Sequence, residues 1–103
     1  MNNTHMFDCF RSLALDEDVE GMGAMLDAGY DVNATNHSGE TVFSHCCANN
    51  RLRAAKFLVR RGAEVNSVDR GGSTPLDSAA RHASREFRDW LARIGGRENG
   101  RRA

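Results

Sequence analysis

An internal repeat of 33 residues is the feature that most constrains the fold of this chain. When the sequence is displaced by 33 positions, seven residues in one window meet an identical residue, whereas ordinary residue frequencies give about two. The identical pairs are Val32/Val65, Asn33/Asn66, Gly39/Gly72, Thr41/Thr74, Leu58/Leu91, Arg60/Arg93 and Gly62/Gly95. Because a fixed period of this length is typical of repeat architectures, the sequence predicts three tandem units that stack on one another.

Each unit carries residues that begin and end helices. Thr41 and Thr74 precede apolar runs, where a hydroxyl can accept hydrogen bonds from free N–H groups, and Pro75 then suits the first helical position. Gly29 and Gly62 follow apolar runs, where a left-handed residue ends a helix. Apolar residues at helical spacing predict the buried face of the second helix in units two and three: Leu52, Ala55, Leu58, Val59, Phe87, Trp90, Leu91 and Ile94.

Two segments of these units resemble the ankyrin repeat. Residues 69–80, Asp-Arg-Gly-Gly-Ser-Thr-Pro-Leu-Asp-Ser-Ala-Ala, resemble its opening, Asp-x-x-Gly-x-Thr-Pro-Leu-His-x-Ala-Ala. Residues 58–66, Leu-Val-Arg-Arg-Gly-Ala-Glu-Val-Asn, resemble its close, Leu-Leu-x-x-Gly-Ala-Asp-Val-Asn, and residues 25–33 resemble that close one unit earlier. The resemblance covers about residues 6–95. It implies an all-α ankyrin-repeat solenoid of three helix-turn-helix units, connected by short β-turn fingers with Gly39 and Gly72 at their tips.

The end units depart from this pattern. Repeat 1 has Asp8-Cys9-Phe10 where Thr-Pro-Leu would stand, so we expect it to lack a finger and to begin with a short helix. Repeat 3 has Arg85 and Arg88 where repeat 2 has Leu52 and Ala55, which gives the polar outer face that an end repeat needs. We therefore expect a single complete domain (residues 1–103): repeat 1 (about 6–33), repeat 2 (about 34–66), repeat 3 (about 67–96) and a mobile tail (97–103).

Charge and composition restrict the partners. The 14 basic and 14 acidic residues cancel, but residues 1–33 carry a net charge of −6, and residues 34–66 and 67–103 carry +3 each. The domain is therefore an electric dipole rather than a polycation, and generic phosphate binding is a poor fit to this charge distribution. We expect a monomer, with weak head-to-tail association of the acidic and basic ends as the alternative. No apolar run approaches the roughly 20 residues that cross a bilayer, so we expect no membrane contact.

The three cysteines, Cys9, Cys46 and Cys47, indicate packing rather than chemistry. An odd number, with two neighbours in sequence, disfavours a disulfide framework and indicates a reducing compartment, the cytoplasm. His45, Cys46 and Cys47 are consecutive on a predicted helix, so their side chains diverge by roughly 100° and cannot share one metal ion. We expect all three thiols to be packed, and no cofactor. No Gly-x-Ser-x-Gly turn and no phosphate loop occur, so we expect no enzyme activity.

The resemblance implies that the chain binds a partner protein through the finger tips and first helices, which line the concave face of such solenoids. An inhibitor, an adaptor and an immunity-like protein are the roles that occupying a partner would serve. Carried over position by position, the candidate protein-binding residues are Leu15, Asp16, Thr35, His37, Ser38, Glu40, Ala48, Asn49, Val68, Arg70, Ser73, Arg81 and His82.

The alternative is a nucleic-acid-associated protein that uses the arginine-rich C-terminal end. Its candidate contacts are Arg81, Arg85, Arg88, Arg93, Arg97, Arg101 and Arg102. Three acidic residues, Glu86, Asp89 and Glu98, interrupt these arginines, and Trp90 is expected in the core rather than as a stacking platform. A solvated end repeat explains the arginines better, so we expect a protein partner and not a nucleic acid.

Overall fold

The computed structural model describes the backbone of residues 3–98 and the side chains from residue 5 onward. Within this range the chain forms three helical hairpins and no extended strand. The helices are α1 (Asn3–Leu15), α2 (Val19–Asp27), α3 (Val42–Ala48), α4 (Leu52–Arg60), α5 (Pro75–His82) and α6 (Arg85–Arg93). The first helices lie side by side, with α3 between α1 and α5, and each packs against the second helix of its own unit. The predicted all-α solenoid is confirmed.

Fingers connect the units where the repeat predicts them: finger 1 spans residues 34–41 and finger 2 spans residues 67–74. The hydroxyl of Thr41 accepts a hydrogen bond from the Ser44 N–H at 3.1 Å and caps α3. Thr74 forms a complete capping box with Asp77, and Pro75 occupies the first turn of α5. The predicted caps are confirmed, because these side chains satisfy N–H groups that have no partner within the helix.

The core lies between the two layers of helices. Its largest fully buried side chains are Phe7, Phe10, Met22, Phe43, Leu58, Phe87 and Leu91. Trp90 is half-buried and packs edge-on against Phe87 and Phe43, at centroid distances of 5.7 and 6.5 Å. Ile94 is not part of the core as predicted, since α6 ends at Arg93 and Ile94 is 37% exposed.

Repeat 1 differs from its prediction in the length of α1. The helix begins at Asn3 and runs for 13 residues, so it is not short and occupies the place where a finger would lead into the unit. Cys9 is exposed, so the expectation that it is packed is wrong. The equivalent residues of later units, Val42 and Pro75, are buried.

Two asparagines tie each unit to the next, and we call them the asparagine clamps. The Asn33 side chain donates to the Gly62 carbonyl at 3.2 Å and accepts from the Glu64 N–H at 2.7 Å. One period later, Asn66 donates to the Gly95 carbonyl at 3.0 Å and accepts from the Arg97 N–H at 2.8 Å. The repeat pattern shows that positions 33 and 66 are both asparagine, and these clamps give the physical reason.

The start of the predicted tail makes hydrogen bonds to two other segments of the chain. Besides its bond to Asn66, Arg97 accepts a hydrogen bond through its carbonyl from the Thr74 hydroxyl at 2.6 Å, and Gly96 is buried. The described structure thus ties Arg97 to Asn66 and Thr74, and the mobility of the tail stays a prediction. Residues 99–103 lie outside the described part of the chain.

Glu17 caps a helix of the neighbouring unit. It sits in the turn after α1 with a φ of 57°, and its carboxylate accepts a hydrogen bond from the Ala54 N–H at 3.0 Å. The N-cap residue of α4, Arg51, makes no side-chain cap of its own. The carboxylate thus supplies, from repeat 1, the capping bond that repeat 2 lacks.

Replacing Glu17 with alanine is expected to destabilise the protein by about 1–2 kcal/mol, as the loss of a cap typically does. For a domain of this size, that loss lowers the thermal midpoint by about 5–10 °C. Thermal unfolding followed by circular dichroism measures the change. Glu64→Ala is the matched control, because it removes an exposed carboxylate whose backbone, not its side chain, bonds to Asn33. Equal midpoints for the two variants would contradict the cap.

Candidate functional site

The two fingers share one construction, which comes from a side-chain oxygen three residues before each tip glycine. Asn36 Oδ1 accepts hydrogen bonds from the N–H groups of Ser38 and Glu40, both at 3.0 Å. Asp69 Oδ1 accepts from the N–H groups of Gly71 and Ser73, both at 2.9 Å. An asparagine or aspartate in this position favours such turns because its side chain bonds to the backbone two residues on. Each finger is therefore held by its own residues.

The fingers are also joined to each other. The N–H of Arg70 donates to the carbonyl of Ser38 at 2.9 Å. Gly39 makes this approach feasible: it has a φ of +76°, and a Cβ added there would lie 3.2 Å from the Arg70 nitrogen. Any other residue would strain the turn and crowd the second finger. We call the surface formed by the two fingers together with α3 and α5 the groove.

The structure places the sequence-predicted binding residues in two classes of exposure. The exposed ones are Asp16, Thr35, His37, Ser38, Asn49, Val68, Arg70, Arg81 and His82, and the half-buried ones are Leu15, Glu40, Ala48 and Ser73. Val68 is 53% exposed on finger 2, a large apolar side chain available for contact. Leu15 lies at the end of α1, one period before Ala48, and Asp16 lies in the turn that follows.

Glu40 is held in a polar network at the base of finger 1. Its Oε1 accepts a hydrogen bond from Asn36 Nδ2 at 2.9 Å and lies 3.1 Å from His45 Nε2. The imidazole also packs edge-on against Phe7 of α1, with ring centroids 5.7 Å apart. Glu40 therefore positions His45 and finger 1 in addition to facing the groove.

A pocket between α3 and α5 brings together residues of both units. It is lined by Glu40, Ser44, His45, Ala48, Asp69 and Ser78. Of these, sequence reasoning named Glu40 and Ala48 and missed the other four. Helical spacing could have indicated Ser44, which lies four residues before Ala48 on the same face of α3. Asp69 and Ser78 carry no local signal, because they meet the pocket only when the units stack.

The polar groups near the pocket are arranged for structure rather than for nucleophilic catalysis. The Ser44 hydroxyl donates to the Thr41 carbonyl at 2.7 Å, so its proton points back into the helix turn. Cys46 and Cys47 are fully buried. Burial raises the pKa of the Cys46 thiol to about 12, with a further rise from nearby Glu17 and an opposing effect of Arg51. Within the described range, no three His, Cys, Asp or Glu side chains are placed to hold a metal ion.

The arginine-rich end lacks an exposed aromatic platform in its described part. Trp90 is packed against Phe43 and Phe87, and Arg85 lies 3.8 Å from Asp89 in an exposed ion pair. Arg88 is half-buried, in the position that Ala55 occupies one unit earlier. No described helix is long and apolar enough to cross a membrane.

Comparison with known proteins agrees with this geometry. Residues 6–101 match a family model described as ankyrin repeats, in three copies. The ADP-ribosylation factor GTPase-activating protein AGD2 of Arabidopsis thaliana is 38% identical over 55 residues, which are 53% of this chain and 7% of that protein. A Rickettsia bellii (strain RML369-C) protein named for its ankyrin repeats is 30% identical over 61 residues, 59% of this chain and 36% of that one. The chain thus spans well under two thirds of either relative.

A solved structure matches the fold over most of the chain. The human ASB11 ankyrin repeat domain superposes with a TM-score of 0.76 at 24% sequence identity, covering 85% of this chain and 40% of that one. At this identity the likeness concerns the fold. The resemblance drawn from the motifs in residues 25–33, 58–66 and 69–80 is confirmed by the family model and by this superposition.

Proposed function

The chain belongs to the ankyrin repeat family, whose members are generally protein–protein interaction modules, and on that premise we propose that it binds a partner protein, without catalysis, through the groove. The observation that carries this proposal is the construction of the fingers. Each is fixed by its own Asn36 or Asp69, and the two are joined by the bond from Arg70 to Ser38. Rigid loops bind with less loss of conformational entropy than mobile ones.

The groove offers a partner both apolar and charged contacts. Val68, His37, Arg70 and Arg81 are exposed on it. Arginine is enriched among the residues that dominate binding energy, whereas most interface residues contribute little. Occupying a partner in this way serves an inhibitor, an adaptor or an immunity-like protein. A cytoplasmic location is supported by the cysteine pattern of the sequence: Cys9, Cys46 and Cys47 are odd in number and two are adjacent, which disfavours a disulfide framework.

The test compares two pairs of exposed arginine or lysine residues. The groove variant is Arg70→Ala with Arg81→Ala, and the back-face variant is Arg53→Ala with Lys56→Ala on α4. Both remove two positive charges from exposed positions, so neither should change stability by more than about 1 kcal/mol. With a partner captured by the unaltered chain and identified by mass spectrometry, the groove variant is expected to bind at least about tenfold more weakly.

The back-face variant is expected to bind that partner as the unaltered chain does. Titration calorimetry of both variants with the purified partner gives the two affinities. Binding abolished by the back-face pair and unaffected by the groove pair would assign the contact to α4 and contradict the groove. If both variants lost the same amount of affinity and this loss depended on salt concentration, the effect would be one of nonspecific charge, which would also contradict binding through the groove.

A further inference from the structure

The pocket between α3 and α5 is large enough for the head of one side chain. Its volume is about 70 Å³, whereas roughly 10–15 Å³ by the same measure holds a water molecule. It opens onto the groove between Glu40 and Asp69, one from each finger, with Ser44, Ala48 and Ser78 from the two helices and His45 beside Glu40. A ligand here would touch both units at once.

Most hydrogen-bond donors around the pocket already have partners. The Asn36 amide donates to Glu40 Oε1, the Ser44 hydroxyl donates to the Thr41 carbonyl, and the Gly71 and Ser73 N–H groups donate to Asp69 Oδ1. His45 Nε2 faces the same Glu40 oxygen. New bonds in the pocket must therefore use acceptors rather than these donors.

Acceptors remain. Among the described residues, the second carboxylate oxygens of Glu40 and Asp69 have no hydrogen-bond partner, and neither has the hydroxyl of Ser78. Two carboxylates and a hydroxyl match a group that carries a positive charge and several N–H donors. Guanidinium presents five such donors in a plane and ammonium presents three.

We propose that this pocket binds a basic side chain, arginine or lysine, of the protein partner, an inference that rests on the proposed function. Arg70 follows Asp69, and Arg81 lies one helical turn after Ser78; both are exposed and make no ion pair within the described range. These two cations are close in sequence to residues that line the pocket, so the partner's basic side chain is expected to have acidic neighbours. Charge complementarity of this kind selects a partner more than it adds affinity.

Three tripeptide amides test the pocket directly: N-acetyl-Ala-Arg-Ala, its lysine analogue and its citrulline analogue, which keeps the shape of arginine without the charge. Each is titrated into the ¹⁵N-labelled 103-residue chain at constant ionic strength, with amide chemical shifts as the readout. The arginine or lysine peptide is expected to shift the amides of Ser44, His45 and Ser78 saturably, with an affinity at least about threefold that of citrulline, the size of effect that exposed ion pairs give.

Two variants alter the pocket while keeping residues that the chain already uses at equivalent positions. Asp69→Asn removes a carboxylate but keeps the oxygen that builds finger 2, since Asn36 builds finger 1 in the same way. Ala48→Leu fills the pocket with the residue found one unit earlier, Leu15. Asp69→Asn is expected to abolish most of the preference for the basic peptides, and Ala48→Leu to abolish the shifts. Glu64 is an exposed carboxylate outside the pocket, so the control Glu64→Gln is expected to change neither the preference for basic peptides nor the amide shifts.

Citrulline binding as tightly as arginine, or shifts at Arg53 and Lys56 on α4 instead of at the pocket, would overturn the proposal. So would an unchanged preference in a folded Asp69→Asn protein. Because the tripeptides need no natural partner, these results are independent of the groove and back-face comparison. If the tripeptides do not bind the pocket but the groove variant binds the partner more weakly, only the proposal of a basic side chain is refuted. If the tripeptides bind the pocket but the groove variant binds the partner as the unaltered chain does, the groove is refuted as the partner's site.

Discussion

In the folded protein, Cys46 and Cys47 are expected to react with a thiol reagent at pH 8 at least about a thousandfold more slowly than in the unfolded chain. Both side chains are 0% exposed, and burial raises the pKa of the Cys46 thiol from 9.0 to about 12. The thiolate is the reactive species, and three pKa units lower its fraction by roughly a thousandfold at this pH. Burial raises the pKa of Cys47 as well.

The exposed Cys9 serves as the internal control for this experiment. Mass spectrometry after brief labelling is expected to find one modified cysteine in the native protein and three after denaturant is added. The modified residue in the native protein should be Cys9, located by peptide mapping. Three labels within the same brief time without denaturant would show that α3 is not packed between α1 and α5 as described.

Raising the pH above about 9 is expected to destabilise the protein through the same two thiols. In the unfolded chain they lose their protons near the ordinary pKa of 9.0, whereas the folded protein keeps them protonated. The stabilisation from a raised pKa is fully present below the unfolded pKa and is lost as the pH rises towards the folded one. Each thiol contributes a loss of about 1 kcal/mol per pH unit in this window.

Denaturant unfolding at pH 7, 9 and 10 measures this loss, with the Cys46→Ala, Cys47→Ala double variant as the control. The chain itself has alanines at the equivalent positions, Ala79 and Ala80, so the helix tolerates them. Tyr30, whose pKa is also raised by partial burial and by Asp31, is present in both proteins and cancels in the comparison. A control as sensitive to alkaline pH as the unaltered chain would contradict the assignment to the thiols.

The repeat allowed the fold to be predicted because its period fixes equivalent positions in successive units. Thr41 and Thr74 cap their helices, and Gly39 takes the left-handed conformation that the finger tip requires. Where the motif is missing, prediction failed. Nothing in Asp8-Cys9-Phe10 indicates that α1 extends back to Asn3, because these three residues lack the Thr-Pro pair that begins a helix in repeat 3.

Local sequence patterns did not predict the contacts between units. The acidic run at residues 16–18 suits the start of α2, and Asp18 does cap that helix. Glu17 instead turns to α4, because its left-handed backbone directs the side chain to the next unit. The pocket was missed for the same reason: Asp69 and Ser78 meet Ser44 only across the interface between units two and three. The sequence predicts which residues belong to the binding surface, and the stacking of the units determines which of these residues come into contact.

The asparagine clamps give the segment 34–66 matching ends. Asn33 holds the Gly62 carbonyl and the Glu64 amide, which lie 29 and 31 residues later in the chain. A second copy of residues 34–66 inserted after Asn66 would present that residue with the same carbonyl and amide at the same separations. Tandem duplication of this stretch of the gene can therefore lengthen the protein by a whole unit, because the joint needs no new side chain.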